Sequence, residues 1–348
     1  MLHSYIKTMR SIIEINATSI KNNYSYIKNN TSKEIIAVIK SNGYGLGLIL
    51  IAKILSSIGV NFFCVSTIEE AIELRKNGFM DNILLLEKSY DFETLSSLKI
   101  TLSISTIKYY IDAKKSLYPL SMHIKIETGM NRLGLTYEEV KELINMHKDN
   151  KNQIITGLYT HIASESSYQS QINALKKIID LFPKNINLAI HSNSSSYFDK
   201  SPFFTTHIRV GLALFGYGNN NLKEALSLLS PIYRIKKVKK GDKVGYGLNG
   251  LIPEDGYLYT IPLGYADGWK KERKTIGYKK SFLSQIGDTC MDYMMLFSKE
   301  EYKENEIIEI ISPTLKLEQL AKIYNESTYE IISMLSMRIK RKIKSTNE

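Results

Sequence analysis

Cysteine is almost absent: the 348-residue chain has two, Cys64 and Cys290, far apart and without metal-ligand spacing. That argues against a disulfide framework or a cysteine-built metal site, and no metal is expected. No run is long or apolar enough to span a membrane. Met1–Arg10 lacks the apolar core of a signal peptide, so a reduced, cytoplasmic protein is expected. Acidic residues are also short, 35 against 46 Lys and Arg, which leaves a net charge of +11. Such an excess can mark nucleic-acid binding. The basic clusters Arg234–Lys240 and Arg338–Lys344 have no interleaved aromatics and no accompanying motif, so nucleic acid is not the expected partner. Attraction of an anionic small molecule remains open. There is no internal repeat of solenoid period, no low-complexity linker, and no Gly-x-Gly-x-x-Gly after the first strand to support a dinucleotide fold.

What is present has a rhythm. Short apolar runs occur at Ile35–Lys40, Phe62–Thr67, Asn82–Glu87, Ile100–Ser105, Met122–Thr128, Ile155–His161, Ile186–Ser192 and Ile208–Gly216. Amphipathic stretches of helical period lie between most of them, at Thr67–Arg75, Thr136–Met146 and Gln169–Leu181. Thr67 reads as an N-cap with Glu70 as its capping-box partner. Eight alternating β and α units predict a closed (β/α)8 TIM-type barrel over residues 10–230. Beyond it the texture turns to short strands and Gly-rich turns, which predicts a mostly β C-terminal domain over residues 231–348. The residues before the barrel, up to Ile15, are expected to pack with that domain.

In a barrel of this kind the chemistry sits at the C-terminal ends of the strands. Polar residues fall there: Lys40, Lys125, Glu127, Arg132, His161, His191 to Ser194, and Arg209. The first motif is Ala37-Val38-Ile39-Lys40-Ser41-Asn42-Gly43-Tyr44-Gly45-Leu46-Gly47. A buried strand there opens into a glycine-rich turn at Lys40. Such a lysine is either a desolvated nucleophile of lowered pKa or a snorkelling strand-end residue. Spacing alone does not separate the two.

The whole set of motifs does. The Lys40 segment resembles the pyridoxal-phosphate attachment segment of alanine racemases. His123 to Gly134, Tyr159 to Ala163, Ser192 to Ser194 and Arg209 to Gly216 resemble that family's later barrel segments. Lys243 to Gly247, Gly264 to Gly268 and Cys290 to Asp292 resemble its β domain, and all occur in the family's order. The resemblance implies pyridoxal 5'-phosphate held by Lys40 as a Schiff base. It implies a two-base interconversion of L- and D-alanine for peptidoglycan, with Lys40 and Tyr246 as the bases. It also implies a head-to-tail homodimer in which Tyr246 and Met291 reach the site of the other copy.

The remaining roles come by the same resemblance. Tyr44, Asn193, Ser194, Gly211 and Leu212 are implied at the cofactor, mainly on its phosphate side. Arg209 is implied to face the pyridine nitrogen, where a donor-only arginine leaves that nitrogen unprotonated. His161 and Arg209 are the cationic groups implied to lower the pKa of Tyr246. Arg132 is implied at the cofactor oxygen and the substrate carboxylate, with Met291 assisting at the carboxylate. Lys125 is implied to be carbamylated, which turns a cation beside Arg132 into an anion. Tyr265 and Asp292 are implied to line the way in.

Five positions depart from the family pattern: Leu46, Gly245, Lys271, Asp288 and Met337. None replaces a proposed base. A non-catalytic pyridoxal-phosphate carrier would lack the β domain, and a related decarboxylase would place an acid where Arg209 stands. A broad-specificity racemase is disfavoured by the missing signal peptide and cysteine pair.

Overall fold

Apolar runs bounded by polar turns become strands, and most close on one another. In the computed structural model the described residues are 10–148, 152–183, 188–193, 202–271, 273–278, 281–313 and 316–344. After an opening strand, β1 (Ile12–Ile15), come β2 (Glu34–Val38), β3 (Phe62–Val65), β4 (Asn82–Leu85) and β5 (Ile100–Ile104). They are followed by β6 (Leu120–Lys125), β7 (Gln153–Tyr159), β8 (Ala189–Asn193) and β9 (His207–Val210). Strands β2 to β9 pair in parallel in chain order, and β2 closes on β9 to complete an eight-stranded barrel. This is the fold expected from the rhythm of the runs.

The predicted helices form with the predicted starts. The Thr67 side chain accepts from the Glu70 amide, and the Glu70 carboxylate returns to the Thr67 amide, before helix Ile68–Lys76. Thr136 and Glu139 repeat the device on Tyr137–His147. The third helix spans Tyr168–Ile179. Each reciprocal cap satisfies two amides that the helix leaves orphaned.

The chain divides into two compact units. One takes Lys21–Gly43 and Leu48–Leu214, and contains the barrel; the other takes Met1–Ile20, Tyr44–Gly47 and Phe215–Glu348. The second unit is mostly β. Its strands are β10 (Leu226–Pro231), β11 (Arg234–Val238), β12 (Lys243–Val244), β13 (Gly250–Leu251) and β14 (Gly256–Ile261). They continue with β15 (Thr275–Tyr278), β16 (Ser281–Gln285), β17 (Met294–Ser298), β18 (Ile307–Ile311) and β19 (Lys340–Ile343). A four-stranded sheet runs β18-β10-β1-β19, a five-stranded sheet β11-β14-β17-β16-β15, and β12 pairs with β13. Among the described residues no helix is long and apolar enough to cross a membrane.

Candidate functional site

Lys40 leaves the barrel through an unusual piece of backbone. The Ile39 amide donates to Cys64 O of β3 at 2.9 Å, so the strand is still anchored one residue earlier. Ser41, Asn42 and Gly43 then take φ/ψ of (54, 51), (55, 49) and (61, 41), and Tyr44 and Gly45 follow at φ 56 and 79. The expected sharp turn is a left-handed helical turn. Left-handed backbone costs an L-residue about 1–2 kcal/mol, and Ser41, Asn42 and Tyr44 all carry a Cβ. The Asn42 amide donates to Glu70 Oε1 at 2.8 Å, and Asn42 Oδ1 accepts from the Leu48 amide at 2.8 Å.

Around this corner the barrel unit gathers cations. Burial comes first among the causes that bring His161 down to about 3; Arg209, Arg132, Lys125 and Lys40 add to it. Burial, then Arg132 and Arg209, lowers Lys125 to about 8. Charges act on one another this strongly only at close range, so Lys40, Lys125, Arg132, His161 and Arg209 share one rim. His161 is therefore neutral near pH 7. Of the pair His161 and Arg209, Arg209 is the one that carries a fixed positive charge.

The Arg132 segment is shaped by Glu127, which the sequence placed at a strand end without a role. Burial acts to raise this carboxyl, but the amides of Asn131, Gly129, Met130 and Arg132 outweigh it and hold it below its usual range. Gly134 closes the same loop: a Cβ there would lie 2.6 Å from Glu127 N.

Arg209 is 5% exposed and firmly held. Its Nη2 donates to Thr160 O at 2.7 Å, its Nη1 donates to His191 Nδ1, and its guanidinium lies 4.6 Å over the Tyr159 ring. The Tyr159 ring stacks on His191 at 4.9 Å and 3°, and its hydroxyl bonds Ser103. Because guanidinium only donates, His191 Nδ1 carries no proton. Its proton sits on Nε2 and is donated to His123 Nδ1 at 2.9 Å. Burial keeps both histidines neutral, His123 at about 3 and His191 well below its usual value. Gly157 leaves room for the His123 ring, since a Cβ would stand 2.6 Å from three ring atoms. Sequence reasoning gave His123, Tyr159 and His191 no supporting role. Part of the signal was there: His123 and Lys125 on β6, and His207 and Arg209 on β9, are spaced by two, which puts each pair on one strand face.

The other predicted residues divide between the units. Gly211 and Leu212 sit where β9 passes into the short 3-10 helix Leu212–Phe215. Asn193 ends β8, and Ser194 lies outside the described residues. Tyr44 belongs to the second unit, where its ring packs 5.7 Å from Phe215 and 6.0 Å from Tyr329. There Tyr246 is 73% exposed, on the short β12–β13 hairpin. The Tyr265 amide donates to Cys290 O at 3.1 Å and the Ala266 amide to Met291 O at 3.0 Å, so those two loops are joined. Gly264 permits the approach, because a Cβ would lie 2.2 Å from Met291 O. Asp292 accepts from Arg338 at 2.6 Å, and Arg10 donates to Asp292 O at 3.2 Å and to Asp267 at 2.9 Å. Arg10 and Arg338 were not singled out from sequence, since each meets its acid far along the chain.

The departures also find physical settings. Gly245 has φ 83 and ψ −173, a region open essentially to glycine alone, so serine would be strained there. Leu46 is fully buried, Lys271 lies 5.4 Å over the Tyr265 ring, and Asp288 pairs with Lys274 at 3.1 Å. Met337 is 71% exposed.

Comparison with known proteins agrees with this geometry. Residues 15–219 match the alanine racemase N-terminal domain, and residues 225–343 the alanine racemase C-terminal domain. An alanine racemase of Fusobacterium nucleatum is 34% identical over 321 residues, which cover 86% of this chain and 89% of that protein. A crystal structure of an alanine racemase from Bartonella henselae, with covalently bound pyridoxal phosphate, is similar at TM-score 0.87 and 26% identity, over 97% of this chain and 100% of that one. A histidine racemase from Leuconostoc mesenteroides subsp. sake is similar at TM-score 0.86 and 25% identity, over 97% and 99%. The chain belongs to the alanine racemase family, isomerases that act on amino acids.

Proposed function

We propose that the protein interconverts L- and D-alanine with pyridoxal 5'-phosphate and two bases, and supplies D-alanine for peptidoglycan. The observation that carries this is the convergence of Lys40, Lys125, Arg132 and Arg209 on a neutral His161. An amine among cations, with a buried arginine held by neutral partners, is a donor set that suits an anionic aldehyde carrying a basic ring nitrogen. When bound, pyridoxal phosphate supplies an electron sink for the charge left on the substrate α-carbon. Lys40 would hold it, Arg209 would face its ring nitrogen, and Tyr44, Asn193, Ser194, Gly211 and Leu212 would lie on its phosphate side.

The chain's own groups then do the following. The Lys40 amine takes or returns the α-proton on one face of the substrate. Tyr246, contributed by a second copy in a head-to-tail dimer, serves the opposite face, because one group cannot serve both. Arg132 and the second copy's Met291 orient the substrate carboxylate, while Tyr265 and Asp292 line the way in. Lys125, at about 8, is partly uncharged near neutrality, as carbamylation requires. Clear density for an unmodified Lys125 in crystals grown with bicarbonate would sink that assignment.

The test is a racemisation assay over several amino acids, alanine and histidine included, with Tyr246→Phe beside the parent. Net racemisation is expected for alanine and lost in both directions in the variant, while α-proton exchange on the face served by Lys40 can persist. Undiminished racemisation by Tyr246→Phe would reject the second base. Preference for histidine, which the likeness to a histidine racemase makes worth measuring, would reject alanine as the substrate.

A further inference from the structure

Glu70 does more than cap a helix. Its Oε2 accepts from the amides of Ser66 at 2.9 Å and Thr67 at 3.3 Å, at the start of helix Ile68–Lys76. Its Oε1 reaches back across the strand ends to the amide of Asn42, at 2.8 Å. That amide is the second residue of the left-handed turn that begins beyond Lys40. Three backbone donors thus meet one side chain. A carboxylate accepts at both oxygens, whereas a carboxamide would turn a donor toward one of those amides.

The turn needs such a restraint. Ser41 is an L-residue in a conformation that disfavours it, and Asn42, which tolerates that region better and bonds the Leu48 amide through Oδ1, still carries a Cβ. Strained backbone persists only where its surroundings over-determine it. On one side of Lys40, Ile39 is fixed by its bond to Cys64 O, and Gly43 N returns to Ile39 O at 2.9 Å. On the other, Asn42 is fixed by Glu70. Lys40 stands between two anchored points, so the direction in which its side chain leaves the barrel is set by both.

We propose that Glu70 is the positioning residue for Lys40, bridging the start of the following helix to the left-handed turn and thereby aiming the lysine. The consequence for chemistry rests on Lys40 being the reactive amine; the structural bridge does not. The experiment uses the full chain and two readouts. Amide hydrogen exchange at Asn42 and Gly43 reports the turn. The rate at which Lys40 is modified by pyridoxal phosphate, trapped with borohydride and followed by peptide mass spectrometry, reports the lysine.

Glu70→Gln is expected to raise exchange at Asn42 and slow Lys40 modification, each by about tenfold or more, the scale of one lost charge-assisted hydrogen bond. Glu70→Asp keeps the charge but is one methylene too short for the span, and is expected to move both readouts the same way. Thr67→Ala breaks the other half of the helix cap without touching Asn42, and both readouts should stay within about twofold of the parent. Adding Ser41→Gly to Glu70→Gln relieves part of the left-handed cost and should recover part of the Lys40 rate. Unchanged exchange at Asn42 in both Glu70 variants, or a Thr67→Ala effect as large as theirs, would overturn the proposal. If the parent itself gave no Lys40 adduct, the cofactor assignment would fail, while the exchange data would still decide the role of Glu70.

Discussion

Glu224 is the perturbation whose magnitude the structure sets most directly. It is 8% exposed, its Oε2 accepts only a 3.4 Å bond from the Leu317 amide, and among the described residues its Oε1 has no partner. The buried Tyr217 hydroxyl likewise has none. Burial, with Glu318 assisting and the Leu317 amide opposing, raises Glu224 from 4.5 to about 7. The sign follows from proton binding. The native state holds this proton more tightly than the unfolded chain, so its contribution to stability is full below about 4.5 and is lost as pH rises through about 7. A shift of that size corresponds to about 3 kcal/mol at pH 8.5. Glu224→Gln keeps an acceptor for Leu317 and removes the charge. It should match the parent near pH 4.5 and exceed it by about 2–3 kcal/mol at pH 8.5, roughly 5–10 °C in Tm. Thermal unfolding of parent and variant across that pH range is the assay, and only their difference is used, since two compact units need not unfold as one. A difference that does not grow with pH, or a variant less stable at pH 8.5, would refute the reasoning.

Two further outcomes are expected. Gly157→Ala drives a Cβ to 2.6 Å from the His123 ring, so the ring must shift and release His191. A loss of about 1–3 kcal/mol is expected in thermal unfolding, with the His191 nitrogen tautomer signature altered in 15N NMR; an unperturbed signature would show that the pair does not depend on that glycine. Arg341 donates all five of its N–H groups, two to Gly45 O and the others to Leu335 O, Ser336 O and Ile339 O. Arg341→Met leaves those carbonyls without it and should cost about 2–4 kcal/mol; Arg341→Lys should recover little, because three donors on a point charge cannot reproduce the fork. Recovery of parental Tm by lysine would mean that charge, not geometry, holds that end of the chain.

How much of this the sequence carried depends on the range over which each feature is determined. The barrel was legible because eight short runs each declare themselves within a few residues, and helix starts such as Thr67 with Glu70 are settled within one turn. The cluster of Lys40, Lys125, Arg132, His161 and Arg209 followed from strand ends, since a parallel barrel sends all such ends to one rim. What held those groups in place was not legible to the same degree. The support behind Arg209 joins β5, β6, β7, β8 and β9, and strand spacing could only have shown that its members share inward faces. The Lys40 corner is the limiting case. Gly43, Gly45 and Gly47 announce that the strand breaks, and Asn42 tolerates the left-handed region and bonds the nearby Leu48 amide, but Ser41 has no such local reason. A further restraint on the turn lies 28 residues beyond Asn42, in a glutamate whose local pattern is already fully explained by a helix cap. A residue that satisfies one rule nearby offers no sequence sign that it satisfies a second one in space. Polar side chains with an evident local partner and a spare acceptor are therefore where a reading by motif stops short, and where the supports of a reactive group are to be sought.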